Sequence, residues 1–149
     1  MITVKYSTLA NEDFQKLNCL LDDDYYQRFG EIALKYRTYN SLKNICNFFT
    51  AYAENQPVGC ACFKRLTTDT AELKRVFVLP THRKQGIAFL LVKECEAQAK
   101  QQGYKFMVLE TGKEMPEAIS LYQKAGYQFI DNFGAFAGDS ICCCLKKAL

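Results

Sequence analysis

The residues best suited to chemistry lie in the short stretch RKQGIA, between Arg83 and Ala88. A strand-like run that closes at Pro80 precedes this loop, and an amphipathic helical pattern begins at Ile87. In that arrangement unpaired N–H groups and the positive end of the helix dipole face one small volume. Gly86 would let an anion approach the backbone closely, because it carries no side chain. The loop therefore suits a phosphate, although by itself it is equally consistent with an ordinary helix start.

The first half of the chain alternates between helical and strand-like patterns. After an opening strand at 3–9, Asn11 is predicted to cap a helix with apolar residues at helical spacing. The acidic run Asp22 to Asp24 is expected to break that helix, and a second helical stretch continues toward Asn40. Strand-like runs at 47–54, 57–66 and 71–80 are separated by the turn signals NQP and TTDT, which predicts an antiparallel meander.

The second half predicts a helix, a strand, a helix and a strand pair. The helix that begins at Ile87 is expected to stop at Gly103, and a strand follows at 105–111. The next helix, at 116–126, has Pro116 in its first turn, and strands at 127–133 and 140–147 close the chain. This order of elements predicts one domain over residues 1–149, of the α/β (α+β) class, with a mixed sheet and helices on both faces.

Composition excludes several classes of protein. With 149 residues, 49% hydrophobic and 23% charged, the chain has the profile of a globular domain. Its apolar runs are too short to span a bilayer, and its first residues do not resemble a secretion signal, so we expect a cytoplasmic protein without membrane contact. A net charge of +3 without a basic stripe argues against nucleic acid and agrees weakly with an anionic ligand.

The eight cysteines raise the alternative of a metal or redox protein. No C-x-x-C pair occurs, and His82 is the sole histidine, so the usual spacing of metal ligands is missing. Cys60 and Cys62 are two residues apart and would share one face of a strand, as would Cys142 and Cys144. We therefore expect the cysteines to pack in the core and expect no metal site.

Two separated motifs carry a family resemblance. The pattern R-x-x-G-x-A at residues 83–88, preceded by ELKRVFVLP and followed by AISLYQKAGY, resembles the GNAT superfamily of acyl-CoA-dependent N-acetyltransferases. The similarity extends from about Asn55 to the carboxyl terminus, and earlier residues match only in their order of elements. The resemblance implies a mostly antiparallel sheet of about six to seven strands whose central strands splay apart.

The resemblance also implies acetyl-CoA as acyl-donor co-substrate. The pyrophosphate would lie on the loop and helix start, and the pantetheine arm would bond to the backbone of Val76 and Val78. The Val78 N–H would face the thioester oxygen, where a fixed donor stabilises an oxyanion. The loop residues implied in binding are Arg83, Lys84, Gln85, Gly86, Ile87 and Ala88.

Two residues match catalytic positions of the family. Glu72 corresponds to a general base that takes the proton of the amine, although Lys74 could pair with it and weaken it as a base. Tyr122 corresponds to an acid that protonates the departing thiolate. Either residue could instead be structural, Glu72 as a solvated strand residue and Tyr122 as a core tyrosine. Met115 departs from the pattern, because the family often has asparagine there.

The function expected from these residues is transfer of acetyl from acetyl-CoA to a primary amine of a small molecule or peptide. The amine would attack directly in a ternary complex, in a monomer or homodimer. The alternative is a catalytically inactive module that binds or senses acyl-CoA. Three further features have simpler explanations: His82 and Lys124 as solvated residues, and Asp22 to Asp24 as a helix boundary rather than an attractor for a cationic amine.

Overall fold

Seven strands form one sheet, with helices on both of its faces. A computed structural model describes residues 1–149 of the chain. The strand order is β1-β2-β3-β4-β5-β7-β6, and every pair is antiparallel except β4 and β5. This confirms the predicted mixed, mostly antiparallel sheet. The strands are β1 Ile2–Ser7, β2 Asn47–Ala53, β3 Gln56–Arg65, β4 Thr70–Val78, β5 Phe106–Gly112, β6 Gln128–Ile130 and β7 Cys142–Ala148.

Four α-helices cover the sheet: α1 Glu12–Phe29, α2 Glu31–Lys35, α3 Ile87–Gln101 and α4 Pro116–Lys124. Helix α1 packs on one face, where Phe14, Leu17 and Leu21 lie in a cluster with β-strand residues. Helices α3 and α4 contribute to the larger cluster on the other face. The predicted cap is present, because the Asn11 side chain accepts a hydrogen bond of 2.8 Å from the Phe14 N–H.

The acidic run does not end the first helix. Helix α1 continues through Asp22 to Asp24 and breaks only at Gly30, whose φ is 65°. The run is tolerated within the helix because two of its carboxylates meet cations elsewhere in the fold: Asp22 lies 2.6 Å from Arg75, and Asp24 lies 3.7 Å from Arg83. The expected break at this run was therefore wrong.

A bulge in β4 directs the second half of that strand away from β5. The register with β3 shifts between Cys60 and Cys62, so that one more residue lies on β4 than on β3. Arg75 lies in the bulge with a φ of 58°. Strands β4 and β5 pair only from Thr70 to Glu72, and beyond that point they separate. This is the predicted splay of the central strands.

Most cysteines are buried, as expected, but two are not. Cys60 and Cys62 pack beneath α1, and Cys95 packs in the larger cluster. Cys19 and Cys46 are exposed, so core packing does not account for them. No group of three or more His, Cys, Asp and Glu side chains is arranged to hold a metal ion. None of the helices is both long enough and apolar enough to cross a membrane.

Candidate active site

Two cavities adjoin at the gap between β4 and β5. The first, of about 440 Å³, lies beside the 83–86 loop and is called the loop cavity. The second, of about 340 Å³, contains Glu72 and Glu110 and is called the carboxylate cavity. Tyr25 and Met115 line both of them. The two cavities therefore meet at these two side chains.

The start of α3 provides free donors at the loop cavity. No side chain caps this helix, so the first-turn N–H groups have no partner within it. Gly86 precedes Ile87 with a φ of 79°, and a Cβ added there would meet no atom within 4 Å. Lys84 and Gln85 are exposed on the loop. These free donors, open space and positive charge fit the pyrophosphate of acetyl-CoA.

Arg83 is positioned by three neighbours rather than extending freely into solvent. Its Nε donates a hydrogen bond of 2.9 Å to the Val78 carbonyl, and its guanidinium lies 5.7 Å from the centre of the Phe77 ring. Its third neighbour is Asp24 of α1. Arg83 thus fixes the loop against the end of β4, and its charge borders the loop cavity.

The backbone of Val78 is directed toward the gap. The Leu79 N–H donates to the Val58 carbonyl at 2.8 Å, which makes Val78 and Gly59 a non-hydrogen-bonded pair of the antiparallel ladder. The N–H of Val78 therefore points away from β3, on the side that β5 has left. Val76 and Val78 both line the loop cavity. A free N–H at this position can donate to a carbonyl oxygen.

Tyr122 lies in the wall of the loop cavity, on α4. It is buried, and its ring packs edge-on against Tyr127, 5.8 Å between centroids. Burial raises the pKa of Tyr122 above the ordinary value of 10, and the nearby Tyr25 adds to the shift. The phenol therefore stays protonated throughout the neutral range and can serve as a proton donor.

Glu72 faces the carboxylate cavity but is already paired. Its carboxylate lies 3.4 Å from the ammonium of Lys74, and both side chains are almost wholly buried. The same ammonium donates a hydrogen bond of 2.6 Å to the Tyr39 carbonyl. Removing either partner of a buried ion pair leaves an uncompensated charge, so the Glu72 carboxylate is committed to Lys74. Pairing with Lys74, foreseen from the sequence, is present.

Glu110 is a second carboxylate in this cavity, and no sequence motif pointed to it. No hydrogen bond or ion pair involves its side chain within the chain. Burial raises its pKa to about 7, with the charges of Glu72 and Asp139 adding and that of Lys74 opposing. A carboxylate with that pKa accepts protons at neutral pH. The available signal was a glutamate directly after the apolar run FMVL in β5.

Three other residues singled out from the sequence border the loop cavity. His82 is half-buried, and its Nδ1 lies 2.9 Å from the Thr81 hydroxyl. Lys124 lies over the Phe89 ring at 5.7 Å from its centroid. Met115 stands at the start of α4, and its sulfur accepts a hydrogen bond of 3.8 Å from the Thr111 hydroxyl. Met115 supplies no amide at the junction of the cavities, where the family often has asparagine.

Comparison with known proteins decides the family. The sequence profile described as the acetyltransferase (GNAT) family matches residues 14–127, which is most of the chain. The chain belongs to this family. The GNAT resemblance stated from the two motifs is thereby confirmed.

Relatives that are named acetyltransferases match part of the chain. The IAA acetyltransferase of Azospirillum brasilense is 32% identical over 106 residues, covering 68% of this chain and 67% of that protein. The uncharacterized N-acetyltransferase YsnE of Bacillus subtilis is 28% identical over 94 residues, 62% of each chain. The chain thus spans less than two thirds of the YsnE length.

Solved structures share the fold over nearly the whole chain. A GNAT family acetyltransferase from Elizabethkingia anophelis with acetyl-CoA bound has a TM-score of 0.73 at 24% identity, covering 99% of this chain and 98% of that one. The PaiA N-acetyltransferase of Thermoplasma acidophilum, in complex with coenzyme A, has a TM-score of 0.72 at 18% identity and covers 99% of both chains. These structures establish the fold.

Proposed function

We propose that this GNAT protein transfers the acetyl group of acetyl-CoA to a primary amine, by direct attack in a ternary complex. The observation that carries the proposal is the junction of the two cavities at the gap beyond Glu72, where β4 and β5 stop pairing. One cavity offers donors for an anion, and the other offers the unpaired carboxylate of Glu110 for a cation. An acetyl thioester and an amine bound on either side would meet at the gap.

The coenzyme is assigned to the loop cavity. The N–H groups of Gln85, Gly86, Ile87 and Ala88 would bind its pyrophosphate, with Arg83 and Lys84 alongside. The backbone of Val76 and Val78 would hold the pantetheine arm, and the Val78 N–H would donate to the thioester oxygen. Acetyl-CoA, when bound, supplies the activated acetyl group.

The amine needs a proton acceptor before it can attack, since an alkyl ammonium has a pKa of about 10.4. Glu72 stays a prediction for the role of general base, and its ion pair with Lys74 argues against that role. We assign the role of proton acceptor to Glu110, whose carboxylate is unpaired in the same cavity. The neutral nitrogen would then bond to the carbonyl carbon as the carbon–sulfur bond breaks.

Tyr122 would complete the reaction by protonating the departing thiolate. The second proton lost from the nitrogen would return the phenol to its neutral form through water. The overall exchange converts an ammonium and acetyl-CoA into an amide, free coenzyme A and one proton. Acceptors in this family are small molecules or peptides, and a cavity of about 340 Å³ suits the end of either.

The function is tested by free-thiol release with acetyl-CoA and a panel of primary amines, alongside calorimetry of acetyl-CoA binding. Release that depends on both substrates supports transfer. Tight acetyl-CoA binding without thiol release from any amine would favour the alternative of an inactive acyl-CoA-binding module.

A substitution at Gly86 tests the coenzyme site. Gly86→Glu is expected to weaken acetyl-CoA binding by about 2 kcal/mol, roughly 30-fold in Kd, because its carboxylate would repel the pyrophosphate and disturb the donors. Calorimetry with acetyl-CoA measures the change.

Gly103→Glu is the matched control for backbone strain. Gly103 follows the other end of α3, with a φ of 96° and no atom within 4 Å of an added Cβ. This variant is expected to keep the Kd of the original chain. Equal Kd values for Gly86→Glu and the original chain would remove the loop from the coenzyme site.

A further inference from the structure

One wall of the carboxylate cavity is apolar and aromatic. It is formed by residues of α1, α2 and the turn that follows: Tyr25, Phe29, Ile32, Ala33 and Tyr36. The Tyr36 hydroxyl is already used, since it donates a hydrogen bond of 2.6 Å to Asp139. Ile32 and Ile141 remain partly exposed at 50% and 39%, so apolar surface extends to the mouth. The wall can cover an apolar body and carries no carboxylate for a second ammonium.

On the side of the carboxylate cavity that faces the apolar wall, every buried charge except one is part of an ion pair. Glu72 pairs with Lys74, and Arg75 pairs with Asp22 of α1. Glu110 has no partner and borders the gap between β4 and β5. Glu114 also lines the cavity but is exposed to solvent, where a charge is screened and binds weakly. The enclosed part of the cavity therefore has a place for one ammonium.

We propose that the acceptor is a primary monoamine carried on an apolar body, with its ammonium at Glu110 and its body against Tyr25, Phe29 and Ile32. This substrate class rests on the proposed acetyl transfer. Diamines and polyamines are disfavoured, because their second ammonium would be placed against the apolar wall without a partner. The α1–α2 wall then selects the acceptor.

Two isosteric amines test the proposal. Hexylamine and cadaverine have the same number of non-hydrogen atoms, but cadaverine ends in a second amine. The expected kcat/KM, measured by thiol release, is about tenfold or more higher for hexylamine. Cadaverine has two equivalent amines, which by themselves would double its kcat/KM, so a preference for hexylamine would appear in spite of this statistical advantage. Phenethylamine is expected to react at least as well as hexylamine, since its ring packs against the aromatic wall.

A variant of the wall should change this preference. Ile32→Asp places a carboxylate at the mouth, on a half-exposed side chain whose replacement leaves the core intact. It is expected to reduce the ratio of hexylamine to cadaverine kcat/KM by about threefold or more. Leu34→Asp is the matched control, because Leu34 is 42% exposed on the same helix and does not line the cavity. Its ratio should equal that of the original chain.

The outcomes separate the acceptor class from the reaction. Amine acetylation with equal rates for the two amines, or with cadaverine preferred, would overturn the acceptor class and leave acetyl transfer standing. An unchanged ratio in Ile32→Asp would overturn the role of the wall. Absence of thiol release with every amine would overturn the acetyl transfer and the acceptor class with it.

Discussion

Tyr122→Phe is expected to lower kcat by roughly 100- to 1,000-fold while the Kd for acetyl-CoA changes less than about twofold. The substitution removes one hydroxyl and keeps the buried ring that packs on Tyr127. Without a proton donor the departing thiolate must be protonated by water, which is slower. Single-turnover kinetics with calorimetry of acetyl-CoA binding separates the two quantities.

Tyr127→Phe is the matched control for losing a buried phenol. Tyr127 packs against Tyr122 but lines neither cavity. Its variant should keep the kcat of the original chain. If Tyr122→Phe turns over as fast as the original chain, Tyr122 is a core tyrosine and the acid must be found elsewhere. Because burial raises the pKa of Tyr122, any alkaline loss of activity from this group is expected only above about pH 10.

Glu110→Gln is expected to lower kcat/KM at neutral pH by roughly 100- to 1,000-fold. The original chain should show a rise in kcat/KM centred near pH 7, since the carboxylate must lose its proton before it can accept one from the amine. The variant should instead gain about tenfold per pH unit up to the amine's own pKa of about 10.4, because only neutral amine can react. A pH profile of thiol release distinguishes the two patterns.

The same substitution should stabilise the fold at alkaline pH. The pKa of Glu110 rises from 4.5 to about 7, so between these values the folded chain holds a proton that the unfolded chain has released. The original chain therefore loses stability as pH rises through this window, whereas glutamine stays neutral. The gain in the free energy of unfolding should be on the order of 2 kcal/mol near pH 8 and close to zero near pH 4.

Glu114→Gln controls for the loss of a carboxylate in the same cavity, because Glu114 is exposed. Denaturant unfolding at the two pH values is expected to show no such gain for it. A Glu110→Gln protein with the original pH profile and the original stability at about pH 8 would contradict both the burial of the charge and its role as base.

Local signals were sufficient for most of the fold. The cap at Asn11, the start of α3 after Gly86 and the turns of the meander each depend on residues close together in sequence. The helix break expected at Asp22 to Asp24 failed because the partners of that run, Arg75 and Arg83, lie more than fifty residues away. An ion pair between residues so far apart cannot be recognised from the local sequence pattern.

The site residues also divide into those that local sequence motifs indicate and those that depend on distant parts of the chain. The sequence located the loop residues and Tyr122 through motifs, and all of them except Gln85 line one cavity in the structure. Glu110 was missed because its importance depends on two nonlocal facts, the separation of β5 from β4 and the lack of a partner. The pairing of Glu72 with Lys74 followed from their two-residue spacing on one strand.

The two cavities are walled largely by different stretches of the chain. Five residues of the earlier stretch, 29–40, line only the carboxylate cavity: Phe29, Ile32, Ala33, Tyr36 and Asn40. Residues 82–89, except Gln85, line only the loop cavity. Substitutions in the earlier stretch can therefore change which acceptor is used while leaving the donor site untouched. Acceptor specificity can therefore evolve through substitutions in one short surface segment. Only Tyr25 and Met115 must remain compatible with both substrates, because they line both cavities.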